Sequence, residues 1–402
     1  MFFAVLHITL LQAITWNGPV QLFSGTNLNS ISTKTAVSPN ENAGEAAWIV
    51  CHEDGGTDVY TASYTSGVWS PAAALASSMH TRNSLSLVVD AMGTYSLVCE
   101  VLDQTNRRIE AAYNSMGTWS TLAKLPAPTT LTGCFSLHVA IATPSTTVVS
   151  WINPNSAFEG IEYASGTNGT PYAISASDLS VLSTQTATNQ AIFVTAQDTY
   201  ASALNANTSP VNTLLLHRSS IPASLCLATQ NDNSLFVFQD TQSNFLLSVM
   251  NQAAHLSYFL IAEPTLPVSQ AQVALNSSSS NQAAAIWQLS NGAIYVTTFN
   301  GQSWAKPATL LSTNGSNPNI LMDPTSGNPI AIWADLSAGG TSNVIRCAEL
   351  SSGMWAVSTI SATGLTFSDV HASINSAGNA AIIWCRQPTA DADNVVEATT
   401  SM

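Results

Sequence analysis

The chain has 402 residues, of which 46% are hydrophobic and 8% charged, with 9 Lys and Arg against 23 Asp and Glu for a formal net charge of −14. Recurrent β-branched and aromatic residues argue against a disordered chain, and the deficit of basic residues argues against nucleic acid, whose phosphates are neutralised by Lys and Arg. An anionic membrane surface would repel the same charge, which leaves cations, neutral sugars, peptides and basic protein patches as compatible partners.

Residues 1–13, MFFAVLHITLLQA, form an apolar stretch of signal-peptide length that ends in a small residue and lacks a basic leading region. They are read as a truncated signal peptide, with an extra strand or helix as the structural alternative, and residues 14–402 as one domain. The stretch is too short to span a membrane, and no later segment has 18 uninterrupted apolar residues. The expected location is therefore secreted or cell-surface, without membrane insertion.

The next segment, ITWNGPVQLFS (14–24), has the pattern of a lone strand that recurs downstream, as in GQSWAKPATLLS. A longer unit follows and repeats along the chain: a polar turn, then an apolar run that ends in Trp or a substitute. Its copies are PNENAGEAAWIV, DAMGTYSLVC, ATPSTTVVSW, NQAIFVT, NSLFVF, SSSSNQAAAIW, DPTSGNPIAIW and NSAGNAAIIW. Their anchors are Val50 (with Trp48 two residues before it), Cys99, Trp151, Thr195, Phe238, Trp287, Trp333 and Trp384, spaced 43 to 52 residues apart. This is the period of propeller repeats, and the Thr, Val, Ile and Trp content with frequent Gly turns sets helical repeats aside.

The second half of each unit is a hairpin whose returning strand carries Trp: YTSGVW, YNSMGTW, FNGQSW and LSSGMW. Four short strands fit one period, and the paired Trp residues are expected to wedge between neighbouring sheets. The last copy stops at NVVEATT without its Trp strand, and the lone strand at 14–24 supplies it. The expected fold is all-β: a single β-propeller of about eight four-stranded blades, closed by pairing the N-terminal strand with the C-terminal blade. Residues 164–268 lack Trp, so seven blades is the alternative count.

In blade pattern the chain resembles bacterial Trp-containing β-propeller repeat proteins over residues 14–402. The resemblance names no specific family. The WD and Gly-His signatures of WD40 repeats and the Asp-box of sialidase-like propellers are missing.

In such a ring the loops after the second strands share one face, and acidic residues collect there. Asp54 and Asp58 come from HEDGGTD, Glu100 and Asp103 from EVLD, and Asp198, Asp240, Asp335, Asp391 and Asp393 from later copies. Clustered carboxylates in a concave mouth suit a cation or a hydrogen-bonding ligand; solvated loops are the plainer reading. HEDGGTD offers carboxylates and glycines for calcium, but lacks the spacing of the twelve-residue calcium loop. No other cofactor is expected.

Catalysis is poorly supported. His52 beside Glu53 and Asp54, with Asp103 on the next blade, is the best acid–base grouping, and the six arginines lie on different blade positions. Nucleophile-elbow and phosphate-loop motifs do not occur. The six cysteines lack metal-ligand spacing and read as small buried hydrophobes, with isolated disulfides left open. The preferred reading is a non-enzymatic binding propeller that presents an acidic loop face to a glycan, cation or protein. The alternatives are a degenerate glycoside-acting enzyme using Asp54 and Asp103, and an assembly platform in which blades four and five pack against another chain.

Overall fold

The computed structural model describes residues 14–401 apart from 26–30, 40, 104–105, 116, 127–134, 144–145, 154–156, 165–166, 169–171, 175–180, 188–189, 196–197, 204–211, 218–222, 231–232, 241–242, 253–254, 277–281, 337–341 and 391. From 151 to 225 it describes backbone only. Every described element is β, arranged as eight antiparallel sheets in which strands follow one another outward.

The innermost strands are Ile31–Val37, Thr81–Val89, Phe135–Thr143, Val181–Ala187, Ala223–Gln230, Val268–Leu275, Gly315–Met322 and Thr366–Ile374. Each packs beside the next, and Ile31–Val37 also packs beside Thr366–Ile374, so the sheets close into an eight-bladed propeller, numbered here from Ile31. Blades 4 and 5, which the sequence marks weakly, are complete four-stranded sheets.

Val20–Gly25 pairs antiparallel with Asn394–Thr400 and becomes the outer strand of blade 8. Trp16 adds a bridge to Ser401 and packs on the seam between blades 7 and 8. The pairing removes the free edge that a three-stranded blade would expose.

Each blade is covered on both faces, which explains why second strands read as apolar runs rather than alternating ones. In Ala43–Cys51, Ala46, Trp48 and Val50 face blade 8, whereas Ala47 and Ile49 face blade 2. Trp287, Trp333 and Trp384 likewise pack on the preceding blade, and so do the outer-strand residues Trp69, Trp119 and Trp304. Register places Trp48, not Val50, at the repeat's Trp position. Trp48, Trp287, Trp333 and Trp384 each lie four residues beyond the first residue paired to the inner strand, Gly44, Ala283, Pro329 and Ala380. The expected anchor, Val50, lies two residues further along the same strand face and packs in the same seam.

The turns explain the rest of the repeat. Asn375 opens one by accepting the backbone N–H groups of Ala377 and Asn379, and Gly378 supplies the positive φ of 86°. Asp90 and Asp323 do the same work in blades 2 and 7. In the outer hairpin Ser352 and Gly353 both have positive φ, the two-residue turn whose twist matches the strands.

Candidate functional site

The loops after the second strands lie on the same face as the connections between blades. Asp54 is exposed there, and its Oδ1 accepts the Gly56 N–H at 2.9 Å. Asp58 accepts from Ser77 Oγ at 2.6 Å and sits 3.0 Å from His52 Nε2. Burial works to raise its pKa, but the Ser77 and His52 bonds outweigh it and hold the carboxyl below its ordinary value. His52 is thus tied to Asp58 rather than to Glu53 or Asp54.

Other acids on this face are also engaged within the fold. Glu100 is 3% exposed and meets Arg107 Nη1 at 2.6 Å; burial raises its pKa and Arg107 opposes the rise. Asp240, 6% exposed, accepts from Ser243 Oγ, while its backbone N–H reaches the Phe245 carbonyl. Asp335 accepts from Ser312 Oγ at 2.7 Å and from Arg346 Nε at 3.3 Å. Asp393 is exposed. The side chains of Asp103 and Asp198, and the whole of Asp391, lie outside the described residues. Among the described acids of the loops after the second strands, the open carboxylates are Glu53, Asp54 and Asp393, on the adjoining blades 8 and 1; Glu263 is exposed on the connection between blades 5 and 6.

Arginines are spent within blades. Arg82 and Arg108 meet Glu110, Arg107 meets Glu100, Arg346 meets Asp335, and Arg386 makes a two-pronged pair with Glu397, which also accepts the Trp384 indole N–H at 2.8 Å. Arg218 lies outside the described residues. No disulfide links the described cysteines, four of which are buried, and burial pushes the Cys99, Cys347 and Cys385 thiols up to about 12.

Two polar sites escaped the sequence reading. The first lies between the inner strands of blades 1 and 8. Burial lowers the pKa of Lys34 and raises that of Asp369, each partly offset by the other. His371 is held well below its ordinary value by burial and then by Lys34, and its Nδ1 accepts the Thr35 N–H at 3.2 Å, which leaves Nε2 to carry the proton.

The second is a cavity of about 360 Å³ between blades 1 and 2, on the opposite face, where the hairpin turns lie. Glu45, 3% exposed, lines it. Its Oε1 accepts from Ser63 Oγ at 2.6 Å and Asn114 Nδ2 at 2.9 Å, whereas Glu45 Oε2 and Asn114 Oδ1 are buried without a hydrogen-bond partner. Burial pushes the Glu45 carboxyl up to about 7, against the pull of the Ser63, Trp119 and Asn114 donors, of which the Trp119 indole N–H falls short of a formed hydrogen bond. A signal existed in the repeat. Three residues before the Trp, where blade 1 has Glu45, blades 6, 7 and 8 have Ala284, Ile330 and Ala381.

Among the described residues no three His, Cys, Asp or Glu side chains come together as a metal site, and no helix is long and apolar enough to cross a membrane.

No family model matches the chain, and no curated protein matches it. Solved structures do. A protein of unknown function from Dyadobacter fermentans is 9% identical at a TM-score of 0.50, over 97% of this chain and 99% of that one. A prolyl endopeptidase is 10% identical at 0.52, over 88% and 55%. The BP39L lectin of Burkholderia pseudomallei is 16% identical at 0.48, over 90% and 98%. At such identities the likeness concerns architecture alone.

Proposed function

We propose that this chain is a non-catalytic binding propeller, secreted or at the cell surface, which engages a glycan or protein through the loop face of blades 8 and 1. The observation that carries this reading is the division of the loop acids. Asp58, Glu100, Asp240 and Asp335 are engaged within the fold, whereas Glu53, Asp54 and Asp393 are exposed on two adjoining blades. Internal pairing fixes the loops; the exposed carboxylates accept hydrogen bonds from hydroxyl or basic groups of a partner in a field that the net negative charge reinforces.

The test is binding of the whole chain to glycan and protein arrays, repeated with the triple variant Glu53→Gln, Asp54→Asn, Asp393→Asn. Saturable binding that the triple variant loses supports the reading, and binding that it keeps removes the site. Turnover of any member of a glycoside panel would replace binding by catalysis.

A further inference from the structure

The seam between blades 1 and 2 holds a buried carboxylate where the seams after blades 6, 7 and 8 hold apolar side chains. Ala284, Ile330 and Ala381 each face the following blade from this position, and Glu45 faces blade 2. A charged group there is costly unless something offsets it. The fold offsets half: Ser63 and Asn114 both donate to Oε1, while Oε2 and the neighbouring Asn114 Oδ1, in a side chain 2% exposed, receive nothing.

Two acceptors are unmatched, the buried Trp119 indole N–H beside the carboxyl is an unmatched donor, and Glu45 and Asn114 both line the same cavity. Exposed Glu41 stands in its wall as a second carboxylate, Tyr95 contributes aromatic surface, and the lining contains no Lys, Arg or His. An anionic ligand therefore meets only repulsion. A neutral hydroxyl has one proton to donate and no charge to set against two carboxylates. A primary ammonium has three donors, enough for both orphan oxygens, and carries the compensating charge; aromatic walls favour cations as well. The cavity volume falls in the range of ~300–1,000 Å³ usual for small-molecule sites.

We propose that this inter-blade cavity is a binding site for a small organic ammonium group, with Glu45 and Asn114 receiving the N–H donors and Glu41 guarding the entrance. It is separate from the loop face, and either site stands if the other fails. The charged or titratable groups facing Glu45 are Glu41 on the turn before its own strand and Tyr95 on the second strand of blade 2, whose phenol is held up by burial and by these two carboxylates. Since the empty site keeps Glu45 near half-protonated at neutral pH, an arriving cation expels the carboxyl proton to solvent.

Isothermal titration of the full chain with n-butylammonium chloride at pH 7, in two buffers of different ionisation enthalpy, tests this. The expected result is saturable one-to-one binding with release of about half a proton, falling to none near pH 9. Glu45→Gln should weaken binding by about tenfold or more and abolish the release. Glu41→Gln, an exposed position whose loss cannot unfold the ring, should weaken binding by roughly twofold to fivefold and leave the release intact. No saturable binding by the wild-type chain, an undiminished affinity in Glu45→Gln, or equal binding of methyl glucoside would each overturn the assignment.

Discussion

The indole N–H of Trp304 donates to Ser248 Oγ at 2.9 Å across the seam between blades 5 and 6. Trp333, in the next seam, has its indole nitrogen buried without a partner. Both tryptophans fill the same kind of wedge, so they separate the polar contribution from the packing one. Trp304→Phe strips the partner from Ser248, which is 0% exposed, and should cost about 2–3 kcal/mol, whereas Trp333→Phe discards an unmatched donor and should cost roughly 1 kcal/mol less. Pairing Trp304→Phe with Ser248→Ala should recover about 1 kcal/mol in urea unfolding.

Ring closure depends on residues before the first complete blade. The Ile14 N–H donates to Glu349 Oε2 of blade 7 at 3.0 Å, and Val20–Gly25 completes blade 8. Deleting residues 1–25 should leave an open edge on Asn394–Thr400, lower the melting temperature, and yield oligomers whose size grows with concentration in light scattering. A truncated chain that stays monomeric with unchanged melting would show that the pairing contributes nothing to closure.

Arg386 and Glu397 form the most enclosed of the described ion pairs outside blade 2, with side chains 13% and 7% exposed. Removing only Arg386 leaves a buried carboxylate with the Trp384 donor alone, so Arg386→Ala should cost about 3 kcal/mol or more. The double variant Arg386→Met, Glu397→Leu should recover most of that loss, because apolar residues of similar volume carry no desolvation penalty. Denaturant midpoints for the cycle decide between the two.

The Glu45 carboxyl gives stability a pH dependence of unusual sign. Its folded pKa of about 7 lies above the ordinary ~4.3, so the folded state binds this proton more tightly than the unfolded one. The contribution is fully present below about pH 4 and is lost as pH rises through about 7. Glu45→Gln should flatten this part of the melting profile and stabilise the protein at pH 8 by up to about 3 kcal/mol, as thermal melts from pH 5 to 8 will register.

The repeat was legible in the sequence because each blade solves the same local problem. A turn that needs Asn375 or Asp323 at its start, Gly378 or Gly327 at positive φ, and an apolar strand covered on both faces leaves the same residue types at each copy. The copies anchored at Thr195 and Phe238 lack Trp, yet they fall in the second strands Gln190–Thr195 and Asn233–Gln239. In the second of these Leu235 and Val237 pack toward blade 6, whereas Phe236 and Phe238 pack on the other face. Trp48 and Val50 share one strand face, so only pairing to the inner strand identifies Trp48 as the wedge of blade 1.

The acidic loops were equally legible as a cluster, since they recur after each second strand. Their engagement was not. Asp58 meets Ser77 on the outer strand, Asp335 meets Ser312 from the blade before it, and Glu100 is 3% exposed despite lying beside a loop. Ser77 and Ser312 lie 19 and 23 residues away from these acids in sequence, and Ser312 is on another blade, where composition carries no information about distance.

Sequence alone determined the blade, the period and the borrowed strand, because these follow from local turn chemistry and the need to cover both faces of every sheet. Tertiary structure decided which carboxylates stay open and where an unsatisfied one is buried. Glu45 is one odd letter in a repeat until blade 2 closes over it, brings Asn114 within 2.9 Å, and leaves an acceptor without a partner beside a cavity.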